Sequence, residues 1–417
     1  MKNSTAIDRS EKKYKNIIQK ILGDIVMKKQ NKILTRWIVT ISLMIFFGSP
    51  KLNFAQQQID YISLGQTIEF NSKILNEKRD ILIYTPTGYE ESNRKYPTLY
   101  ITDGAENFFI ATAIVNFLSR RQQIPQMIVV GIPNVNRNRD LSPSVIQGTS
   151  NPGGGDIFLT FFEDELIPYL NKTYRTSNFR VLFGHSLGGM FANYAMFIRP
   201  ELFNAFITAS PYLYYDNEFV IKEAALKLGN LSNFDRQLFV TLGNEPTYHA
   251  SLNKFTSLLK DNTNNLRWDY QIFNDEDHGS IPIISLLKGL EFIYSDFQLS
   301  METVTQGLEV ILDHYSQVKS KYDYTVDISE ATFNIIGYTL LQNEEFDKSI
   351  EVFKYNVKLY PNSANVYDSL AEALEKTGRI KEAAENYETA VKIGKKINDP
   401  NLTIFERNLA RVQEEAE

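Results

Sequence analysis

Seven short runs of β-formers recur between residues 79 and 275, and several are apolar almost throughout: "YPTLYITDG", "QMIVVGIPN", "RVLFGHS", "NAFITAS" and "QLFVTLGNE", with "RDILIYTP" before them and "RWDYQIFND" after. A strand can be apolar on both sides only where both faces of its sheet are covered, which is the situation of a parallel sheet. Amphipathic stretches at 106–121, 156–171, 187–198, 217–229, 250–262 and 281–297 separate the runs. Strand–helix alternation at this spacing predicts a doubly wound α/β fold over 56–300.

From residue 301 the β signal stops and the period becomes helical. "SEATFNIIGYTLLQNEEFDKSIEVFKYNVKLYPN" and "ANVYDSLAEALEKTGRIKEAAENYETAVKIGKKI" align with a period of 34, pairing Ile336 with Leu370, Gly337 with Ala371, Ser349 with Ala383 and Phe353 with Tyr387. Small residues recur where two helices approach and bulky ones where they interlock. The pattern resembles the tetratricopeptide helix–turn–helix repeat, with Pro361 closing the first copy. A small all-α domain over 301–417 is expected, with the helices before and after the two copies acting as caps. Such a tail is a candidate surface for a protein partner.

The N-terminal region carries its own signal. From Met27, the residues Lys28, Lys29, Lys32 and Arg36 precede an apolar run from Trp37 to Phe47, and a polar stretch leads to Ala55. This is the order of a secretory signal peptide, with a cut expected after Ala55 and a secreted or periplasmic mature chain. An uncleaved anchor is the alternative, but a largely apolar run of eleven residues falls well short of the ~20 needed to span a bilayer. Beyond residue 55 there remain 33 basic and 47 acidic residues, a net charge of −14. So acidic a chain argues against nucleic acid, whose binding rests on neutralised phosphates. The absence of cysteine excludes disulfides, thiolate metal sites and a cysteine nucleophile.

One run ends in chemistry. Gly184-His185-Ser186-Leu187-Gly188 reads G-x-S-x-G between a strand-like "RVLF" and a helix-like "LGGMFANYAMF". A serine in a sharp strand-to-helix turn needs small neighbours, and the turn lifts its hydroxyl clear while the Leu187 amide faces the place where an oxyanion would form. A nucleophilic serine needs a base. Of four histidines, His185 lies inside the motif and His314 in the helical region. His278 in "FNDEDHGSIP" is favoured, with His249 as the alternative. The chain order Ser, acid, His places the acid between them. Glu245, directly after a strand and a glycine, is favoured, and Asp216 and Asp277 are the others to weigh. "TLYITDGAENFF" supplies a second oxyanion donor in the Ala105 amide, after the Asp103-Gly104 turn.

Taken together, residues 67–297 resemble the putative-esterase family of α/β-hydrolases, which includes esterase D-like enzymes, enterochelin-type siderophore esterases, some feruloyl esterases and mycolyltransferases. The matching pieces are "YITDG", "VGIPNVNRNRDLSPS", "FEDELIPYLNKTYRT", "FGHSLGGMFANY", "ITASPYLYYDN" and "DHGSIP", in the family's order. The resemblance implies an α/β-hydrolase fold. It implies Ser186, Glu245 and His278 as a triad, the Ala105 and Leu187 amides as an oxyanion hole, and Gly104 and His185 bordering the substrate. It also implies that the "RDLSPS" arm brings Arg139 to the substrate, and that Tyr212, Tyr214 and Tyr215 form a wall where relatives often carry tryptophan.

"NPGGGDIF" lacks the preceding strand and the Lys-Ser/Thr of a phosphate loop, and Asp156 within it is expected to cap the following helix. No H-E-x-x-H pattern proposes a metal, and no cofactor is implied. The expectation is a serine hydrolase cleaving a small-molecule carboxylic ester, whose substrate is a siderophore, aryl or feruloyl ester or an acylated sugar. Acyl transfer through the same triad is a rival. An interaction protein with an inactive hydrolase domain is another.

Overall fold

The computed structural model describes residues 64–146, 152–228, 234–262 and 265–416. The expected leader lies outside them. Eight strands form one sheet: β1 (Gln66–Ser72), β2 (Glu77–Tyr84), β3 (Tyr96–Thr102), β4 (Ile128–Ile132), β5 (Thr176–His185), β6 (Ala205–Ala209), β7 (Arg236–Leu242) and β8 (Leu266–Ile272). Their order across the sheet is β1-β2-β4-β3-β5-β6-β7-β8. The β1/β2 and β2/β4 pairs are antiparallel and every later pair is parallel. Strands β3, β4 and β6 are buried along their whole length, as their largely apolar character requires. Strand β1, "QTIEFNS", is an exposed antiparallel edge. Its short polar alternation gave no strand signal in the sequence.

The helices of the sheet region are α1 (Gly104–Arg120), α2 (Arg137–Leu141), α3 (Gly155–Phe161), α4 (Ile167–Thr173), α5 (Leu187–Ile198), α6 (Phe219–Leu228), α7 (His249–Asn262) and α8 (Ile281–Ile293). A π-helical turn, Phe162–Leu166, joins α3 to α4. Helix α1 packs on β3, β4 and α8, whereas α5 packs on β5, β6 and α6. The sheet is thus clothed by crossover helices, and each parallel strand delivers its C-terminal loop to the same edge.

A C-terminal helical region follows: α9 (Met301–Gln306), α10 (Leu308–Tyr322), α11 (Glu330–Gln342), α12 (Phe346–Leu359), α13 (Ala364–Lys376), α14 (Ile380–Ile397) and α15 (Leu402–Ala416). All eight residues aligned by the 34-residue period are buried. A methyl group at Gly337 would lie 2.5 Å from the Phe353 ring, so α11 and α12 meet where the sequence placed small against bulky. The packing does not break at residue 300. Val318, Tyr322 and Tyr324 belong to the same buried cluster as the sheet residues, and the Tyr322 ring lies 4.9 Å from Phe179 and 4.8 Å from Tyr294. Among the described residues no helix is long and apolar enough to cross a membrane.

Candidate active site

Strand β5 ends in the turn that holds Ser186. Its backbone has φ 58° and ψ −115°, a region that L-residues occupy only under constraint. The glycines on either side make the turn feasible by close approach: a methyl at Gly184 would lie 2.0 Å from the Gly188 carbonyl oxygen, and one at Gly188 would lie 2.4 Å from Thr102 Oγ1. The Ser186 amide donates to the Ala209 carbonyl at 2.9 Å, and its own carbonyl accepts from Met190 at 2.9 Å and Tyr212 at 3.0 Å. The backbone around the serine is therefore fixed from β6, from α5 and from the tyrosine segment.

Glu245 and His278 meet above β7 and β8. Glu245 Oε1 and His278 Nδ1 are 2.5 Å apart. The other oxygen, Oε2, accepts from the Ser210 hydroxyl and from the Gly243 amide, the latter at 3.3 Å. Glu245 is buried, so these donors hold one lone pair set while the imidazole takes the other. Two backbone bonds lace the acid loop to the histidine loop: Asn244 N–H donates to Glu276 O at 2.7 Å and Phe273 N–H to Leu242 O at 2.8 Å.

The other candidates are engaged elsewhere. Asp277 accepts the Gly279 and Ser280 amides at 2.8 and 2.9 Å, bonds that hold its carboxyl below the usual range. Asp216 accepts from Ser144 Oγ at 2.5 Å. His249 opens α7, and His314 Nε2 faces the Phe297 carbonyl at 3.3 Å. His185 lies against His278, ring centres 4.5 Å apart and planes tilted by 47°. Burial first, and the His278 charge second, push its pKa down to about 4, so it is a neutral ring at pH 7.

Leu187 and Ala105 sit at the first and second positions of α5 and α1, where helix amides have no intrahelical acceptor. The turn before Ala105 is tight: Asp103 is left-handed at φ 54°, and a methyl at Gly104 would lie 2.4 Å from the Ile132 nitrogen. Asp103 is itself buried and gripped by Arg137, whose Nε and Nη2 donate at 2.7 and 3.0 Å, and by Asn134 Nδ2 at 2.5 Å.

Arg139, expected at the substrate, is taken up elsewhere. Its guanidinium donates to Glu77 twice at 2.9 Å and to Asp140 at 2.7 Å. Arg137 is the neighbour of the site instead. Two residues apart on the single turn of α2, the arginines point about 200° apart, one to Asp103 and one to Glu77. Asp156, expected as a helix cap, makes no cap bond; the residue before α3 is Gly154, and Asp156 Oδ1 accepts from the Tyr194 hydroxyl at 3.1 Å.

Tyr212 and Tyr214 form an aromatic wall, ring centres 4.4 Å apart. Tyr215 turns inward, is buried, and donates to the Ser144 carbonyl at 2.9 Å. The wall continues into Tyr248, which sequence reasoning missed. Its ring is 5.0 Å from Tyr214 and 5.6 Å from His278. Burial, chiefly, raises its phenol pKa well above the ordinary value, with Tyr214, Glu245 and Ser186 as the neighbouring groups. Only its position after Glu245 in "GNEPTY" could have drawn attention to it. Among the described residues no three His, Asp or Glu side chains gather as a cation site.

Residues 72–246 match the family described as "Putative esterase". The chain is 26% identical over 226 residues to the ferri-bacillibactin esterase BesA of Bacillus subtilis, covering 47% of this chain and 78% of that protein. It is 29% identical over 160 residues to a siderophore enterobactin esterase of Emericella nidulans, covering 32% of this chain and 52%, about half, of the relative. An IroE-like serine hydrolase from Shewanella oneidensis superposes with a TM-score of 0.60 at 25% identity, over 71% of this chain and 99% of that one.

Proposed function

We propose that this carboxylic ester hydrolase, so classed by the family match and the esterases it resembles, works through an acyl-enzyme on Ser186. The Ser186 oxygen attacks the ester carbonyl carbon while His278 takes the hydroxyl proton. Glu245, at 2.5 Å from Nδ1, keeps the other imidazole nitrogen facing the serine and stabilises the imidazolium as it forms. The Leu187 and Ala105 amides receive the oxyanion, and the pinned Asp103 turn keeps the second of these donors in place before substrate arrives. The tetrahedral centre collapses, His278 returns its proton to the leaving oxygen, and water activated by the same imidazole then releases the acid.

The observation that carries this reading is the pairing of a strained serine turn with a buried carboxylate that is hydrogen-bonded to one histidine. Three further readings go with it. The substrate is a siderophore ester, as for the related siderophore esterases, and the tyrosine wall at the serine suits an aromatic one. The leader at 27–55 exports the chain, and the 34-residue repeat builds a tetratricopeptide-like surface for a protein partner.

The test is a panel of siderophore, aryl or feruloyl, and acyl-sugar esters, run with wild type beside Ser186→Ala. Wild type should turn over the siderophore ester fastest, and the variant should lose on the order of 10⁴-fold or more in kcat. A Ser186→Ala protein that keeps turnover would overturn the mechanism. Preference for another class would overturn the substrate assignment.

A further inference from the structure

Tyr248 lies beyond the stretch that matches the family, and its ring stands against His278 and Tyr214 at the serine side of the site. The topology says which side of the serine it occupies. Ser186 ends β5. Ala105 follows β3, on one side in the sheet order, whereas Tyr248 follows β7 and His278 follows β8, both on the other. When an ester is attacked, the carbonyl oxygen goes to the amides. The leaving oxygen must then lie beside His278, which protonates it. That is the side on which Tyr248 stands, its ring 5.6 Å from the imidazole.

The geometry points to Tyr248 as a further catalytic residue, whose hydroxyl donates a hydrogen bond to the leaving-group oxygen of the ester as the bond to it breaks. The inference rests on Ser186 being the nucleophile. In the step, the bond between the acyl carbon and the leaving oxygen breaks and its electron pair goes to that oxygen. The proton from His278 completes the alcohol, and the acyl group stays on Ser186. Tyr248 keeps its proton and only shares it. Its position is set by the chain: it closes the short turn Pro246–Tyr248, its amide donates to the Glu245 carbonyl at 3.0 Å, and Tyr214 meets its ring nearly at right angles. Burial keeps the phenol protonated, so it remains a donor throughout the working pH range.

The experiment uses the full chain and esters that share one acyl group, with leaving alcohols running from p-nitrophenol to ethanol. Tyr248→Phe should lower kcat/KM by about tenfold for the ethyl ester, the size of one lost hydrogen bond to a charged oxygen. It should change the p-nitrophenyl ester by less than about twofold, because that leaving group carries its own charge. Labelling of Ser186 in the variant by a fluorophosphonate shows that the site still folds. Equal losses across the series, or none, would overturn the inference. So would Tyr214→Phe steepening the leaving-group dependence to the same degree, since the role is assigned to the Tyr248 hydroxyl alone. If Ser186→Ala keeps turnover, the nucleophile reading falls; if Ser186 is essential and Tyr248→Phe leaves the slope unchanged, only the Tyr248 inference falls.

Discussion

The two ends of β5 are held by opposite means. At its carboxyl end the chain turns through Ser186 with positive φ, and the turn exists because Gly184 and Gly188 leave no side chain in the way. At its amino end the strand is met by residues more than 140 positions later. Ser177 Oγ donates to the Tyr322 carbonyl at 3.2 Å, Asp323 accepts from the Asn178 amide at 3.0 Å, and the Phe179 ring packs edge-on against Tyr322. The reactive end is built by local sequence, the supporting end by long-range burial from α10. The strain at one end therefore persists on a strand whose other end the C-terminal helices complete.

Truncation breaks this comparison most severely. Removing 301–417 takes Val318, Tyr322 and Tyr324 out of a core that includes Phe179, Tyr294 and Phe297. Loss of one large buried ring costs about 3–5 kcal/mol, and losing two with their neighbours approaches the whole stability of a domain, ~5–15 kcal/mol. The 1–300 chain is expected to aggregate or melt far below the full protein. A chain ending at Asp327 keeps those contacts and should fold and turn over ester. Thermal melts and activity on both truncations check this, and a 1–300 chain with the full-length Tm would refute it.

A smaller effect belongs to the reactive end. His185 has a folded pKa of about 4 against 6.5, so between these values the unfolded chain binds a proton that the folded one refuses. Its contribution to stability is fully present above pH 6.5 and is lost as pH falls toward 4, by up to about 3 kcal/mol. Denaturant melts of wild type and His185→Gln at pH 7 and pH 4.5 should show the flatter pH dependence in the variant. Equal slopes would mean that the ring takes up its proton in the folded state.

How much of this was legible follows from where the information lies. The parallel strands announce themselves because burial on both faces demands apolar runs, and the serine turn because close approach demands glycine. Edge strand β1 buries little and so leaves no pattern. The apolar spacing of Val318 and Tyr322 shows that α10 buries a face, but periodicity is silent on what the face meets, which is why the sheet core runs past residue 300 without a signal. Glu245 and His278 could be singled out by strand-end position and scarcity. Arg139 was expected at the substrate and Arg137 stands by Asp103 instead, because a half-turn of a five-residue helix decides between them. Tyr248 was hidden for the same reason: its place beside Ser186 comes from a turn whose direction only the folded chain reveals.

Stoichiometric labelling with a fluorophosphonate, followed by peptide mass mapping, tests the central claim most directly. We expect one label per chain, carried by Ser186, with esterase activity falling in proportion to labelling and no label taken up by Ser186→Ala. A label on another residue, or ester turnover that survives full modification of Ser186, would contradict it.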